Sequence, residues 1–300
     1  MILLIAAPFV IAALLSMLSN KTLSVARYEL KSAKLASNPV RIVMISDLHR
    51  RKLDPTNRRL VEKIAFEKPD LIVINGDMLE PDYTEAELSE YKSLLERLAE
   101  IAPVFFSAGN HDYPALFSTV ERTETELLRG VERSGIVDGL EAAGAHFLER
   151  DYVDIEVNGE LLRIGGLYAY ASEFREYTEA QFESIREFLS DFQATERYTL
   201  MLAHRPESFT EGAAPSMWDI DLILSGHTHN GVVALPFGLG AIWSMSKFFP
   251  KYDRGLFDLE GSALIIGAGI DGYKGFIPRI FNPPEIVTVD ILPEEVIGDQ

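Results

Sequence analysis

A chain of 300 residues, 47% hydrophobic and 25% charged, carries enough apolar mass for a large core, which excludes a disordered protein. Its 46 acidic and 28 basic residues leave a formal charge of −18, which repels nucleic-acid phosphates at long range and argues against a polynucleotide partner. There is no cysteine, so disulfide scaffolds, thiolate zinc sites and cysteine nucleophiles are excluded together.

Met1 to Leu18 contains no charged side chain. As a helix rising ~1.5 Å per residue it would span roughly 27 Å, close to the hydrocarbon thickness of a bilayer. A permanent single-pass anchor fits this stretch best. A cleaved signal is the second reading, because Ser24 and Ala26 form a small-x-small pair, but no charged region precedes the apolar one. A buried helix of the main domain comes last, since no polar face interrupts the stretch. Lys21, Arg27, Lys31 and Lys34 follow it, and the positive-inside rule then places the main domain in the cytoplasm. Residues 20–39 read as a polar, basic connector ending at Asn38-Pro39.

From Arg41 short apolar runs alternate with helical stretches. Arg41–Ser46 reads as a buried strand, Asn57–Glu67 as a helix and Asp70–Asn75 as a second strand. Thr84 and Glu87 form a capping box ahead of a helix with Leu88, Tyr91, Leu95, Leu98 and Ile101 on one face. Val104–Ser107 is a third strand, and strand–helix alternation of this kind predicts a largely parallel sheet with helices outside it. Asn158-Gly159 marks a hairpin turn. Thr178 with Gln181 caps a helix carrying Phe182, Ile185, Leu189 and Phe192. Tyr198–Ala203, Ile220–Ser225 and Ile286–Ile291 are further strands. The predicted class is α/β with two packed sheets. The predicted organisation is an anchor over 1–19, a connector over 20–39, one catalytic domain over 40–294 and a tail over 295–300.

The chemistry gathers where these strands end. The first runs into Asp47-Leu-His49, the second into Gly76-Asp77, the third into Gly109-Asn110-His111-Asp112, the fourth into His204 and the fifth into Gly226-His227-Thr-His229. Open sheets bind ligands just beyond the carboxyl ends of their strands. In extended chain residues i and i+2 project to one side, so Asp47 with His49, and His227 with His229, are expected to approach a metal together. Imidazole, carboxylate and amide donors suit manganese, iron or zinc better than magnesium or calcium. Glycines 76, 109 and 226 are expected to let the backbone turn beside the ions. Singly, each group has a plain structural explanation: a turn, a surface pair or a hydrogen-bonded core histidine. Jointly they take five of the six histidines, and His146 is left as structural.

In this order the blocks resemble those of the calcineurin-like metallophosphoesterase family over roughly Arg41 to Ile291. The resemblance implies a four-layer αββα double β-sandwich holding two divalent ions. One ion would be held by Asp47, His49, Asp77 and His229, and the other by Asp77, Asn110, His204 and His227. Asp77 would bridge them, and a shared hydroxide would attack phosphorus in line. His111 would donate the proton to the leaving oxygen. The acid that orients it, an aspartate in the phosphoprotein-phosphatase branch, corresponds to Glu80 here. Pro81 replaces that branch's arginine, and Asn230-Gly-Val232 replaces the glycine-glycine-glutamine of many relatives. Phosphate contacts are therefore sought at Arg50, Arg51, Arg58, Arg205 or Lys251.

The N-terminal segment, the Arg27–Leu30 stretch, Phe249-Pro-Lys-Tyr252 and Pro278–Asn282 resemble a membrane-associated branch. Some of its members cleave phosphodiester or pyrophosphate bonds, including that of UDP-diacylglucosamine. The expected activity is thus hydrolysis of a phosphodiester or pyrophosphate in a lipid-linked or nucleotide substrate, with a phosphomonoesterase or a non-catalytic metal-binding scaffold as the alternatives. No Gly-x-Ser-x-Gly elbow and no Gly-rich loop ending in Lys-Ser/Thr is present, which excludes the usual serine-hydrolase and P-loop readings.

Overall fold

A computed structural model describes residues 20–116, 134–168, 179–211, 214–231, 233–234, 241–244, 247–271, 273–274, 277–279 and 281–294. The predicted anchor over 1–19, the tail over 295–300 and the Thr178 cap lie outside these residues. Among the described residues no helix is long and apolar enough to cross a membrane.

In chain order the elements are β1 (Ser24–Ser32), β2 (Val40–Ile45), α1 (Arg58–Glu67), β3 (Leu71–Asn75), α2 (Glu85–Ala99), β4 (Val104–Ser107), α3 (Tyr113–Leu116), α4 (Gly135–Ala142) and β5 (Ala145–Phe147). They continue with β6 (Asp151–Val157), β7 (Glu160–Gly166), α5 (Glu179–Gln193), β8 (Tyr198–Leu202), α6 (Glu207–Thr210) and β9 (Leu222–Ser225). Among the described residues the last elements are β10 (Val233–Ala234), β11 (Ala241–Ser244), β12 (Lys247–Phe248), β13 (Gly255–Leu259), β14 (Ser262–Ile266), β15 (Tyr273–Lys274), β16 (Ile277–Pro278) and β17 (Glu285–Pro293).

Two six-stranded mixed sheets dominate, in the orders β1-β17-β2-β3-β4-β5 and β13-β14-β9-β8-β7-β6. β2, β3, β4 and β5 are parallel, with β17 antiparallel to β2. In the second sheet β14, β9, β8 and β7 are parallel and β13 and β6 close the edges antiparallel. The central strands read as unbroken apolar runs because both of their faces are covered. Along β2 the alternation of a strand decides which face each residue meets. Ile42 and Met44 pack into the core between the sheets with Leu200, Leu202, Leu222 and Leu224. Val43 and Ile45 point the other way, against Leu60 and Ile64 of α1 and Leu95 and Leu98 of α2. Beyond the second sheet, Ile185, Leu189 and Phe192 of α5 cover Met201, Ile223 and Ile266. Helix, sheet, sheet and helix therefore stack in four layers, each large buried side chain contributing about 1.5–3 kcal/mol.

Local signals behave as their chemistry requires. Thr84 and Glu87 form the reciprocal capping box of α2. Asn158 and Gly159 sit at φ 54° and 85°, the two left-handed positions of a tight hairpin turn between β6 and β7. The stretch expected to be a connector differs: it supplies β1, which pairs in parallel with β17 from Ser24 to Ser32. Arg27, Glu29 and Lys31 face solvent while Tyr28 and Leu30 pack on the core, so the charges mask a half-buried strand. Arg27 donates to both carboxylate oxygens of buried Glu67 at 2.7 Å, tying the strand to α1.

Candidate metal centre

The parallel strands of both sheets deliver their carboxyl ends to one cleft. Backbone bonds stitch the loops there: Asp47 N–H donates to the Gly76 carbonyl and His49 N–H to the Asp77 carbonyl, both at 3.0 Å, and Gly226 N–H donates to the His204 carbonyl at 3.0 Å. The backbone is not extended at the ligands, as the i, i+2 argument assumed. Asp47, His49, Asp77, His227 and His229 all take positive φ, from 49° to 69°. Left-handed turns, not strand alternation, aim these side chains inward. Of the three glycines, Gly76 has a positive φ of 76°. Gly109 and Gly226 are needed instead for close approach, since an added Cβ would strike the carboxylates of Asp77 and Asp47 respectively.

Among the described residues potential donors gather in three groups, the donor atoms of each lying within 4.8 Å of one another: Asp47 with His49 and His229, His49 with Asp77 and His111, and Asp77 with His204 and His227. His204 Nε2 lies 3.2 Å and His49 Nε2 3.8 Å from the same oxygen of Asp77, and His229 Nε2 lies 3.4 Å from Asp47. The second ring nitrogens are held from behind. His204 Nδ1 bonds the Asn75 carbonyl at 2.8 Å. Glu80 spans two rings, with one oxygen 2.9 Å from His49 Nδ1 and the other 2.7 Å from His111 Nδ1. Such partners fix tautomer and orientation and leave Nε2 free to bind.

The electrostatics favour cations. Asp47 and Asp77 are fully buried, and burial raises the pKa of Asp47. Burial opposes ionisation of Asp77 too, but the charge and hydrogen bond of His204, with His49, hold it well below the usual carboxylate range. Burial likewise works against charge on His49 and His204, yet Glu80, Asp77 and Asp47 outweigh it and raise both imidazoles to about 9. The His49 hydrogen bond and then that of His111 hold Glu80 at about 2, against its burial. His227 is pushed down to about 2 by burial and by neighbouring His204 and Arg205, and burial with Arg279 pushes His229 well below its ordinary value. Buried carboxylates demanding positive charge beside neutral imidazoles suit divalent ions. The oxygen of the Asn110 amide and Nε2 of His227 are buried without any hydrogen-bond partner, the condition of ligands awaiting a metal. The residues present therefore fit two such ions.

Around this layer lie supporting residues with no role assigned from the sequence, Asp112 of the third block among them. Asp112, fully buried, accepts from Met78 N–H and Leu79 N–H at 2.8 and 2.7 Å and from Gly109 N–H at 3.1 Å, clamping the second and third loops together. Arg279, also buried, donates to the carbonyls of His229 and Ala268 at 2.9 and 2.7 Å. Asn282 donates to the carbonyls of His229 and Gly231 at 2.6 and 2.8 Å. These two brace the His227–Gly231 loop across some fifty residues of sequence, and the only local sign of them was the Pro278–Asn282 stretch.

Of the candidate phosphate contacts, Arg50 is committed to Asp82 and Glu87, Arg58 to Glu62, and Arg51 to the Asn20 carbonyl. Lys251 lies over Tyr252. Arg205 is half-buried directly beside His204. His146 sits away from the cleft on β5, stacked on Phe105 with ring centroids 5.2 Å apart.

The profile of the calcineurin-like phosphoesterases matches residues 40–231, the span that holds every one of these ligand candidates. The chain belongs to that family. As a member it is a metal-dependent phosphoesterase. It is 28% identical to a metallophosphoesterase of Aquifex aeolicus over 92% of its own length and 94% of that protein's. It is 29% identical to the phosphodiesterase YaeI of Escherichia coli over 70% and 68% of the two chains. A Danio rerio transmembrane protein with a metallophosphoesterase domain is 27% identical over 84% of this chain. This chain spans 53% of the Danio rerio protein's length and 59% of that of a Campylobacter jejuni metallophosphoesterase.

Proposed function

We propose that the chain hydrolyses phosphodiester or pyrophosphate bonds of a lipid-linked or nucleotide substrate, using two divalent ions and a membrane anchor. The placement of His111 carries the catalytic reading. Its Nδ1 is taken by Glu80, its backbone N–H donates to Asp77 at 2.8 Å, and its side chain is 38% exposed to the cleft. A ring held in this way can carry a second proton at Nε2 and pass it to a leaving oxygen. Asp47, His49, Asp77 and His229 would hold one ion, and Asp77, Asn110, His204 and His227 the other. Ions so held supply Lewis-acid charge to the phosphoryl oxygens and to an attacking water. Glu80 keeps His49 and His111 in register, Asp112 keeps the Asp77 and Asn110 loops together, and Arg205, next to His204 in the chain, would contact a phosphoryl oxygen.

Two observations support the substrate class and the anchor. The Escherichia coli relative is named a phosphodiesterase, and the Danio rerio relative is named a transmembrane protein. The uncharged stretch from Met1 to Leu18 is long enough for one crossing, with the catalytic domain on the cytoplasmic side.

A metal-reconstituted screen of monoesters, bis-p-nitrophenyl phosphate and nucleotide-diphosphate lipids tests the reading. Turnover of the diester or pyrophosphate substrates should exceed that of the monoesters. His111→Ala should retain its metal and lose turnover by ~10²–10⁴-fold. A His111→Ala protein as fast as the parent would remove that residue from the chemistry, and a protein inert on every substrate would leave only a metal-binding scaffold.

A further inference from the structure

The described domain begins beside the segment that carries Phe281, which in turn bonds the loop of His227 and His229. Asn20, two residues beyond the uncharged stretch that ends at Leu18, is buried at 3% exposure, and its amide donates to the Arg279 carbonyl at 2.7 Å. Ser24 then bonds the Pro284 carbonyl through both its hydroxyl and its N–H, at 2.8 Å each. The described chain therefore begins in contact with the segment that carries Phe281.

Phe281 is 36% exposed, and Phe248 and Phe249 are 75% and 66% exposed. Phe249 and Phe281 also adopt left-handed backbone, at φ 48° and 52°. Bulky residues rarely tolerate that region, and such strain collects at functional sites. Both phenylalanine-bearing segments grip the loop that carries His227 and His229. Thr228 donates its hydroxyl to the Asp253 carbonyl on one side, and Asn282 bonds the His229 carbonyl on the other. The Arg254–Glu285 ion pair, at 2.9–3.0 Å, joins the two segments to each other.

We propose that Phe248, Phe249 and Phe281 form a rim that dips into a lipid bilayer, so that the metal cleft opens toward the membrane surface. The occupant of this apolar rim is the bilayer because the uncharged stretch of residues 1–18, long enough to span a membrane, ends two residues before Asn20, which is fixed to the Arg279 carbonyl in the segment that carries Phe281. Exposed aromatic side chains held at a bilayer surface withdraw their rings from water into the headgroup boundary. A phosphoester carried on a lipid would then reach the ions without leaving the membrane. The inference rests on the anchor reading above and not on the identity of the substrate.

The absence of cysteine makes site-specific labelling clean. Full-length Phe249→Cys and Phe281→Cys proteins, each carrying an environment-sensitive fluorophore, are placed in vesicles of phosphatidylcholine with a minority of phosphatidylglycerol. Phe66→Cys is the control. Phe66 is 75% exposed but ends α1 just before β3 begins, at the edge of the sheet opposite the ligands. Nitroxide-labelled lipid should quench most of the emission at 249 and 281 and little at 66. Equal quenching at all three positions, or none at 249 and 281, overturns the proposal. A change at 249 or 281 that follows protein density rather than lipid quencher also overturns it, by assigning the rim to a second copy. The two rim positions lie on separate segments, so a failure of one variant to fold leaves the other readable. Hydrolysis of bis-p-nitrophenyl phosphate is followed in the same samples. Its absence in the parent would sink the phosphoesterase reading while leaving the docking result intact.

Discussion

At five ligand positions the backbone lies in the left-handed region that side chains other than glycine seldom adopt. Each such residue costs of order 1–3 kcal/mol and persists only where its surroundings over-determine it. Here those surroundings are the cross-loop bonds, the Asp112 clamp and the Arg279–Asn282 brace. Glu80 is the most demanding of the supports, because one carboxylate serves both a candidate ligand and the candidate proton donor. Glu80→Gln replaces two acceptor oxygens with one acceptor and one donor, so it cannot satisfy both imidazoles in their present tautomers. Metal affinity should fall by roughly 10–100-fold, as measured by titration calorimetry, with turnover falling alongside it. Unchanged affinity would show that His49 needs no orienting partner. Asp77→Asn removes the charge shared between both groups of donors and should lower the metal content of purified protein below the parent's, as elemental analysis would read.

Elements differ in how much of their pairing is local. The α2 capping box and the Asn158-Gly159 hairpin are complete within a few residues, and both form as their spacing predicts. β1 is the opposite case. Its charges at 27, 29 and 31 give it the look of a linker, and its partner β17 lies some 260 residues away. Without β1, strand β17 would become an edge with a row of unpaired backbone groups, which invites aggregation. A chain lacking residues 1–33 should therefore melt lower and scatter more light than one lacking residues 1–19, which keeps the strand. Coincident melting curves would mean that β1 adds nothing to the sheet. In the middle of the second sheet, Leu200→Ala should cost about 2–5 kcal/mol, because its cavity opens between layers with little freedom to collapse.

For the molecule as a whole, the cleft concentrates buried carboxylates in a chain already at −18. Ions bound only by the folded state stabilise it by mass action, by about 2.7 kcal/mol when present at a hundred times their dissociation constant. For a domain of this size that corresponds to roughly 5–10 °C in Tm. A chelator should lower the melting point by such an amount, and manganese or zinc should restore it. An indifferent melting curve would argue that the gathered side chains hold no ion in solution.

The amino-acid sequence by itself determined the two packed sheets, the course of the central strands and the polar groups at their ends, while the αββα layering and the seven candidate ligands came from the resemblance those groups carry. A strand buried on both faces must be a continuous apolar run, and a parallel sheet must deliver its chemistry at the strand ends. These are short-range demands, legible wherever they fall. Only the tertiary structure decided that Glu80 serves two histidines, that left-handed turns aim Asp47, His49, His227 and His229, and that the first strand hides in a charged stretch. It alone decided that Arg279 and Asn282 brace the loop of candidate ligands His227 and His229 and that Asn20 closes on Arg279 across 259 positions. Those contacts join residues whose spacing along the chain carries no period, so no local pattern announces them. The packing of two sheets brings them together.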